Sequence, residues 1–155
     1  MTGRRADAPN HAPDATPGDS SRPTHPVHPT RHLTLAEVTA LARHACGEEP
    51  ALRAPGLLAS AVHRPRARMF GVSAYEDVHE QAAVLLHAIA ANHPFVDGNK
   101  RTAWLSAAVF LAVNGVDLAE ADQDTAYDLV IAVAAGALDD VREIARRLRA
   151  LHEAR

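Results

Sequence analysis

His93-Pro94-Phe95-Val96-Asp97-Gly98-Asn99-Lys100-Arg101-Thr102 separates two apolar helical runs. Upstream, Val78, Ala82, Leu85, Leu86 and Ile89 recur at helical spacing and predict a long helix from about Tyr75 to Asn92. Downstream, a helix is predicted from Asn99 to about Val113, closed by Asn114-Gly115. Between them lie an imidazole, a carboxylate, a Gly-Asn turn and two cations. Lys100 and Arg101 sit badly at a helix start, where the helix already carries partial positive charge. An anion bound there removes the conflict, because the first N–H groups of a helix make a phosphate site. Lys100 is also the only lysine of the chain.

The rest of the chain also reads as helix. Thr34-Leu35-Ala36-Glu37 has capping-box spacing and opens a helix to about Cys46, with Gly47 just beyond. A short helix covers Pro55–Val62 and stops before Pro65. Arg64–Ala74 has no helical pattern and predicts a loop or short hairpin. Two further helices are expected at about Asp124–Ala135 and Asp139–Glu153. The second is amphipathic, with Val141, Ile144, Ala145, Leu148 and Leu151 on one face. The Ala103–Leu111 run is apolar on nearly all sides, which predicts a central, surrounded helix. The fold class expected is all-α, with a small loop or β-hairpin as its only β element. Residues 1–31 are expected to form a disordered tail, rich in Pro and His without apolar periodicity, ahead of one domain over 32–155.

Bulk composition narrows the function. A net charge of −3 argues against direct nucleic-acid binding. The longest apolar runs are too short to span a membrane. The lone Cys46 cannot form an internal disulfide, and no secretory h-region follows the start, so a cytoplasmic setting is expected. His25, His28 and His32 are broken up by prolines and lack carboxylate partners, which speaks against a metal tract. His79-Glu80 begins like a zinc-protease helix, but Ala83 stands where the second histidine is needed.

The loop residues carry the chemistry. His93 has the residue type for a general base; the plainer alternative is a loop histidine that caps the preceding helix. Phe95, two residues on, suits a plug that fixes the loop in the core. Asp97 is a hard oxygen ligand suited to Mg²⁺, or an N-cap aspartate, or both. Gly98 and Asn99 permit a tight backbone that aims N–H groups at an anion. Lys100 and Arg101 add charge to the same place, unless they are simply a solvated helix start. The stretch is no Walker A loop, because a helix and not a strand precedes it.

Taken together, His93–Thr102 resembles the signature of the Fic/Doc superfamily in its death-on-curing (Doc) toxin form. Looser similarity runs from about Leu33 to Leu151. The resemblance implies a Fic-type helical domain that uses ATP and Mg²⁺. In it His93 is the catalytic base, Asp97 holds the metal, and Gly98, Asn99, Lys100 and Arg101 hold phosphates. Arg64, Arg66, Arg68, Met69, Phe70 and Gly71 fall where the family has a flap that pairs with an extended target. AMP-transferring relatives have glycine where this chain has Lys100 and a second arginine where it has Trp104. The Doc branch shares the lysine and transfers the γ-phosphoryl group to a threonine of translation elongation factor Tu, which arrests translation. Doc-like chains often carry alanine at the position of Gly98. No Ser/Thr-x-x-x-Glu-Gly/Asn inhibitory helix occurs, so the resemblance implies a Phd-like antitoxin in trans. The alternatives are a Fic-type protein adenylyltransferase and a non-catalytic nucleotide- or protein-binding module.

Overall fold

The computed structural model describes residues 29–154 together with Gly3, so most of the predicted tail lies outside the described residues. The described residues form α1 (Leu35–Cys46), α2 (Pro55–His63), a 3₁₀ turn (Arg64–Arg66), and strands β1 (Arg68–Met69) and β2 (Val72–Ser73). After these come α3 (Val78–Asn92), α4 (Asn99–Val113), α5 (Gln123–Ala134) and α6 (Val141–Glu153). The domain is all-α with a two-stranded antiparallel hairpin, as the sequence predicts. No helix among the described residues is long and apolar enough to cross a membrane.

Local caps set most helix boundaries. Thr34 and Glu37 close the capping box of α1, and Gly47 ends that helix in a left-handed conformation. The α3 helix starts at Val78 and not at Tyr75, because Asp77 caps it by accepting from the His79 and Glu80 amides. The carbonyl of Tyr75 is bonded instead to Ser73 Oγ and Gln81 Nε2. Asp122 and Asp140 cap α5 and α6 in the same way, so α5 begins one residue before the predicted start and α6 two residues after it.

The central helix is α3, not α4. It packs against α2, α4, α5, α6 and the 3₁₀ turn. Its residues from Gln81 to Ile89 are buried apart from His87, which is half-buried. Helix α4 buries Thr102, Ala103, Ser106, Ala107, Phe110 and Leu111, while Trp104, Leu105, Ala108 and Val109 stay partly exposed. An all-round apolar helix therefore keeps one face at the surface here. The amphipathic α6 buries Ile144, Ala145, Leu148 and Leu151 as its pattern requires. Arg149 of α6 donates to Asp77 Oδ2 at 2.9 Å and ties α6 to the start of α3. Burial opposes ionisation of Asp77, but the His79 amide, Arg149 and the Glu80 amide outweigh it and hold the carboxyl below its ordinary range.

Arg31, the last residue of the predicted tail, is attached to the domain. Its N–H donates to Asn114 Oδ1 at 2.8 Å, and Asn114 Nδ2 donates back to its carbonyl at 2.9 Å.

Candidate active site

The loop that ends α3 is held by main-chain geometry before any ligand is considered. His93 sits at the C-cap of α3 with φ 48° and ψ 61°, in the left-handed region. Histidine is among the few non-glycine residue types that are enriched there. Arg53 closes the same helix end. Its Nε donates to the His93 carbonyl at 3.0 Å and its Nη2 to the Asn92 carbonyl at 3.1 Å. A cation at the negative end of a helix is favourable in itself. The flanking main chain then straps the loop down. Arg53 and Ala54 amides donate to the Pro94 carbonyl, the Val96 amide donates to Ala51, and Leu52 pairs with Phe95 in an isolated antiparallel bridge.

Phe95 is 1% exposed, within the core. Asn99 fixes its backbone from both sides: the Phe95 amide donates to Asn99 Oδ1 and Asn99 Nδ2 donates to the Phe95 carbonyl, each at 2.9 Å. The Asn99 side chain is thus bonded to the loop itself, which leaves its main chain to face the helix start. Gly98 is the N-cap of α4 with φ 79° and brings no side-chain cap. A methyl group at Gly98 would overlap Sγ of Cys46, the last residue of α1. A residue with a side chain is therefore strained here by its backbone angle, and its methyl group would have to displace the Cys46 side chain.

The polar groups converge above this frame. His93, Asp97, Gly98, Asn99, Lys100 and Arg101 line one cleft of about 290 Å³, with Val96 and, from α5, Tyr127 and Ile131. His93 is half-buried, while Asp97, Lys100 and Arg101 are exposed. Asp97 Oδ1 accepts from the Gly98 amide at 2.7 Å. Its Oδ2 lies 3.9 Å from Arg101 Nη2, too long for a strong bond. Both charges stay available to a ligand. No group of three or more metal-ligating side chains exists among the described residues. A single carboxylate fits Mg²⁺ in the manner of a nucleotide site, where phosphate oxygens and water complete the shell.

The candidate flap residues are placed apart from this cleft's lining. Arg64 and Arg66 form the 3₁₀ turn, with Arg66 Nη2 directed at the Leu33 carbonyl. Arg68 and Met69 make β1, and Arg68 donates to the Gly71 carbonyl. Phe70 and Gly71, at φ 52° and 79°, form the two-residue tip of the hairpin. Phe70 is fully exposed and Met69 is 63% exposed. Sequence reasoning missed Arg53, Cys46, Tyr127 and Ile131. Each acts across a long sequence separation and carries no local signal.

The cleft thus brings a half-buried imidazole, a carboxylate and two cations together beside an uncapped helix start. The family model of the Fic/DOC family matches residues 32–111, and the chain belongs to that family. It is 47% identical over 106 residues to a Mycolicibacterium smegmatis protein named toxin Doc, covering 68% of this chain and 82% of the relative. It is 36% identical over 130 residues to the protein kinase doc of Escherichia phage P1, covering 79% of this chain and 96% of the relative.

Proposed function

We propose that the chain is a Doc-like toxin that transfers the γ-phosphoryl group of ATP to a protein hydroxyl, a threonine of elongation factor Tu, and so halts translation. The names of its two relatives, a toxin and a protein kinase, support this reading. The observation that carries it is the exposed Lys100 beside Arg101 at the uncapped start of α4, in one cleft with His93 and Asp97. Where AMP-transferring relatives leave room by a glycine, this chain puts a cation that attracts a phosphoryl group in flight.

The residues divide the work as follows. The target hydroxyl approaches His93, whose imidazole takes its proton as the oxygen bonds to the γ-phosphorus. The bond from γ-phosphorus to the bridging oxygen breaks and ADP leaves. Lys100, Arg101 and the opening main-chain amides of α4 hold the phosphate oxygens. Asp97 would hold Mg²⁺, which when bound draws off negative charge from the phosphates. Arg53, Asn99 and Phe95 keep His93 in place and do not touch the reacting atoms. The hairpin tip, with Met69 and Phe70 exposed, pairs with an extended segment of the target. A Phd-like antitoxin restrains the enzyme in the cell.

The test is transfer from ATP labelled separately at its α- and γ-phosphates to purified elongation factor Tu. Label from the γ position alone is expected. Label from the α position means adenylyl transfer, and no label from either means a binding module.

A further inference from the structure

Helix α4 leaves one side uncovered, with Trp104, Ala108 and Ala112 one turn apart along it. With Val109 of α4 and with Leu118 and Gln123 beyond the helix, they line a surface groove of about 270 Å³. The lining includes residues on both sides of Asn114 in the sequence, Ala112 before it and Leu118 after it. Asn114 is also where the N-terminal segment is fastened. Its side chain holds the Arg31 amide and carbonyl. The His32 ring lies 5.9 Å from that of Phe110, one turn earlier in α4. The main chain ahead of Arg31 therefore leaves the domain beside the end of this groove, with Thr30 and Pro29 exposed.

The sequence ahead of this point has a period that suits the groove. Pro23, Pro26 and Pro29 recur at every third residue. A polyproline II helix has three residues per turn, so these prolines fall on one edge of it. Their fixed φ favours that conformation before any contact forms. Aromatic-lined grooves bind such proline edges. The lengths also agree. Pro23 to Pro29 spans about 19 Å as polyproline II, and Trp104 to Asn114 spans about 15 Å of α-helix. The excess lets the segment pass over the end of α4. We infer that Pro23–Pro29 docks in this groove as a polyproline II segment, with its proline edge against α4 and Pro23 at the Trp104 ring. A segment too polar for a core of its own gains order against a partner surface. Tethering at Arg31 makes the contact intramolecular, so a weak contact suffices. Any protein that binds this face of α4 must first displace the tail.

Trp104 is the only tryptophan of the chain, so its emission reports on the groove in the full chain without nucleotide. Pro23→Gly/Pro26→Gly should shift the emission to the red and raise its quenching by acrylamide, because the ring loses its cover. Ala112→Glu should do the same from the side of the groove. That position is exposed and glutamate is a good helix former, so the variant should fold. It lies about 12 Å from Trp104 along α4 and reaches the ring only through the tail. Adding the two proline changes to Ala112→Glu should cause no further shift. Pro9→Gly/Pro13→Gly, outside the three-residue period, should leave the emission unchanged. Circular dichroism checks that helix content is the same in all of them. The inference is overturned if Pro23→Gly/Pro26→Gly or Ala112→Glu emits as the wild type does, or if Pro9→Gly/Pro13→Gly shifts the emission as strongly. It is also overturned if the wild-type emission moves to the red on dilution while the mass in sedimentation halves, which makes a second copy of the chain the occupant.

Discussion

Gly98→Ala should destabilise the domain far beyond an ordinary surface substitution, and Cys46 should account for a defined part of the loss. Gly98 has φ 79°, a left-handed conformation that costs a non-glycine residue about 1–2 kcal/mol. The added methyl also overlaps Cys46 Sγ, and forcing extra volume into a packed site costs about 1–3 kcal/mol. The two effects together come to about 2–5 kcal/mol, a large share of a typical domain's stability. Cys46→Ala in the same chain removes the overlap and leaves only the backbone cost. The Cys46→Ala/Gly98→Ala pair should therefore show a coupling of about 1–3 kcal/mol. Urea denaturation of the four proteins, followed by far-UV circular dichroism, measures that cycle. Additive effects within about 0.5 kcal/mol would refute the claim that α1 and the loop before α4 meet at this contact. Because Gly98 begins the helix that carries Lys100 and Arg101, the single variant should lose activity and the double variant should recover part of it.

Removing the imidazole by His93→Ala should lower transfer about 10²–10⁴-fold, and an active variant in a radiolabel transfer assay would take His93 out of the mechanism. Lys100→Ala should lower γ-phosphoryl transfer about 10²–10³-fold with helix content intact by circular dichroism; unchanged rates would leave Lys100 without a role. Arg53→Ala should cost about 1 kcal/mol through the lost cap on α3, and transfer should fall even below the melting temperature; full activity would show that His93 holds its place unaided. Burial first, against a raising effect from Asp77 at His79, holds His32, His79 and His87 below the ordinary histidine value. As pH falls below about 6.5 the unfolded chain takes up these protons before the folded one does, so stability should drop with acid and be complete above that value. A melting temperature that is flat or rises between about pH 7 and pH 5 would contradict this.

What was legible in the sequence was what local chemistry controls. Thr34 and Glu37 announce α1 because the whole capping box lies within four residues. Asn99 to Val113 could be bounded because a turn precedes it and Asn114-Gly115 follows. The start of α3 was harder: Tyr75, Glu76 and Asp77 all suit a first turn, and only the Asp77 side chain bonded to two amides shows where the helix begins. Periodicity reports that Trp104, Leu105 and Val109 are apolar, but not whether another helix covers them. Helix α4 is therefore covered on fewer sides than its composition suggests, and α3 is the surrounded one. In the candidate site, the motif drew attention to the residues that line the cleft. Their supports were out of reach. Arg53 meets the end of α3 from 40 residues away, and the fit of Cys46 to Gly98 exists only once α1 packs on the loop. The Asn99 side chain clamps Phe95, a bond no pattern of residue types reveals, and this leaves the main-chain role expected of Asn99 untouched.

The most direct test of phosphoryl transfer is the intact mass of elongation factor Tu after incubation with the chain, ATP and Mg²⁺. A gain of one phosphate per target molecule is expected, mapped by fragmentation to a threonine and absent with His93→Ala. A gain of a whole adenylyl group, or an unmodified target under conditions where ATP binds, would contradict it.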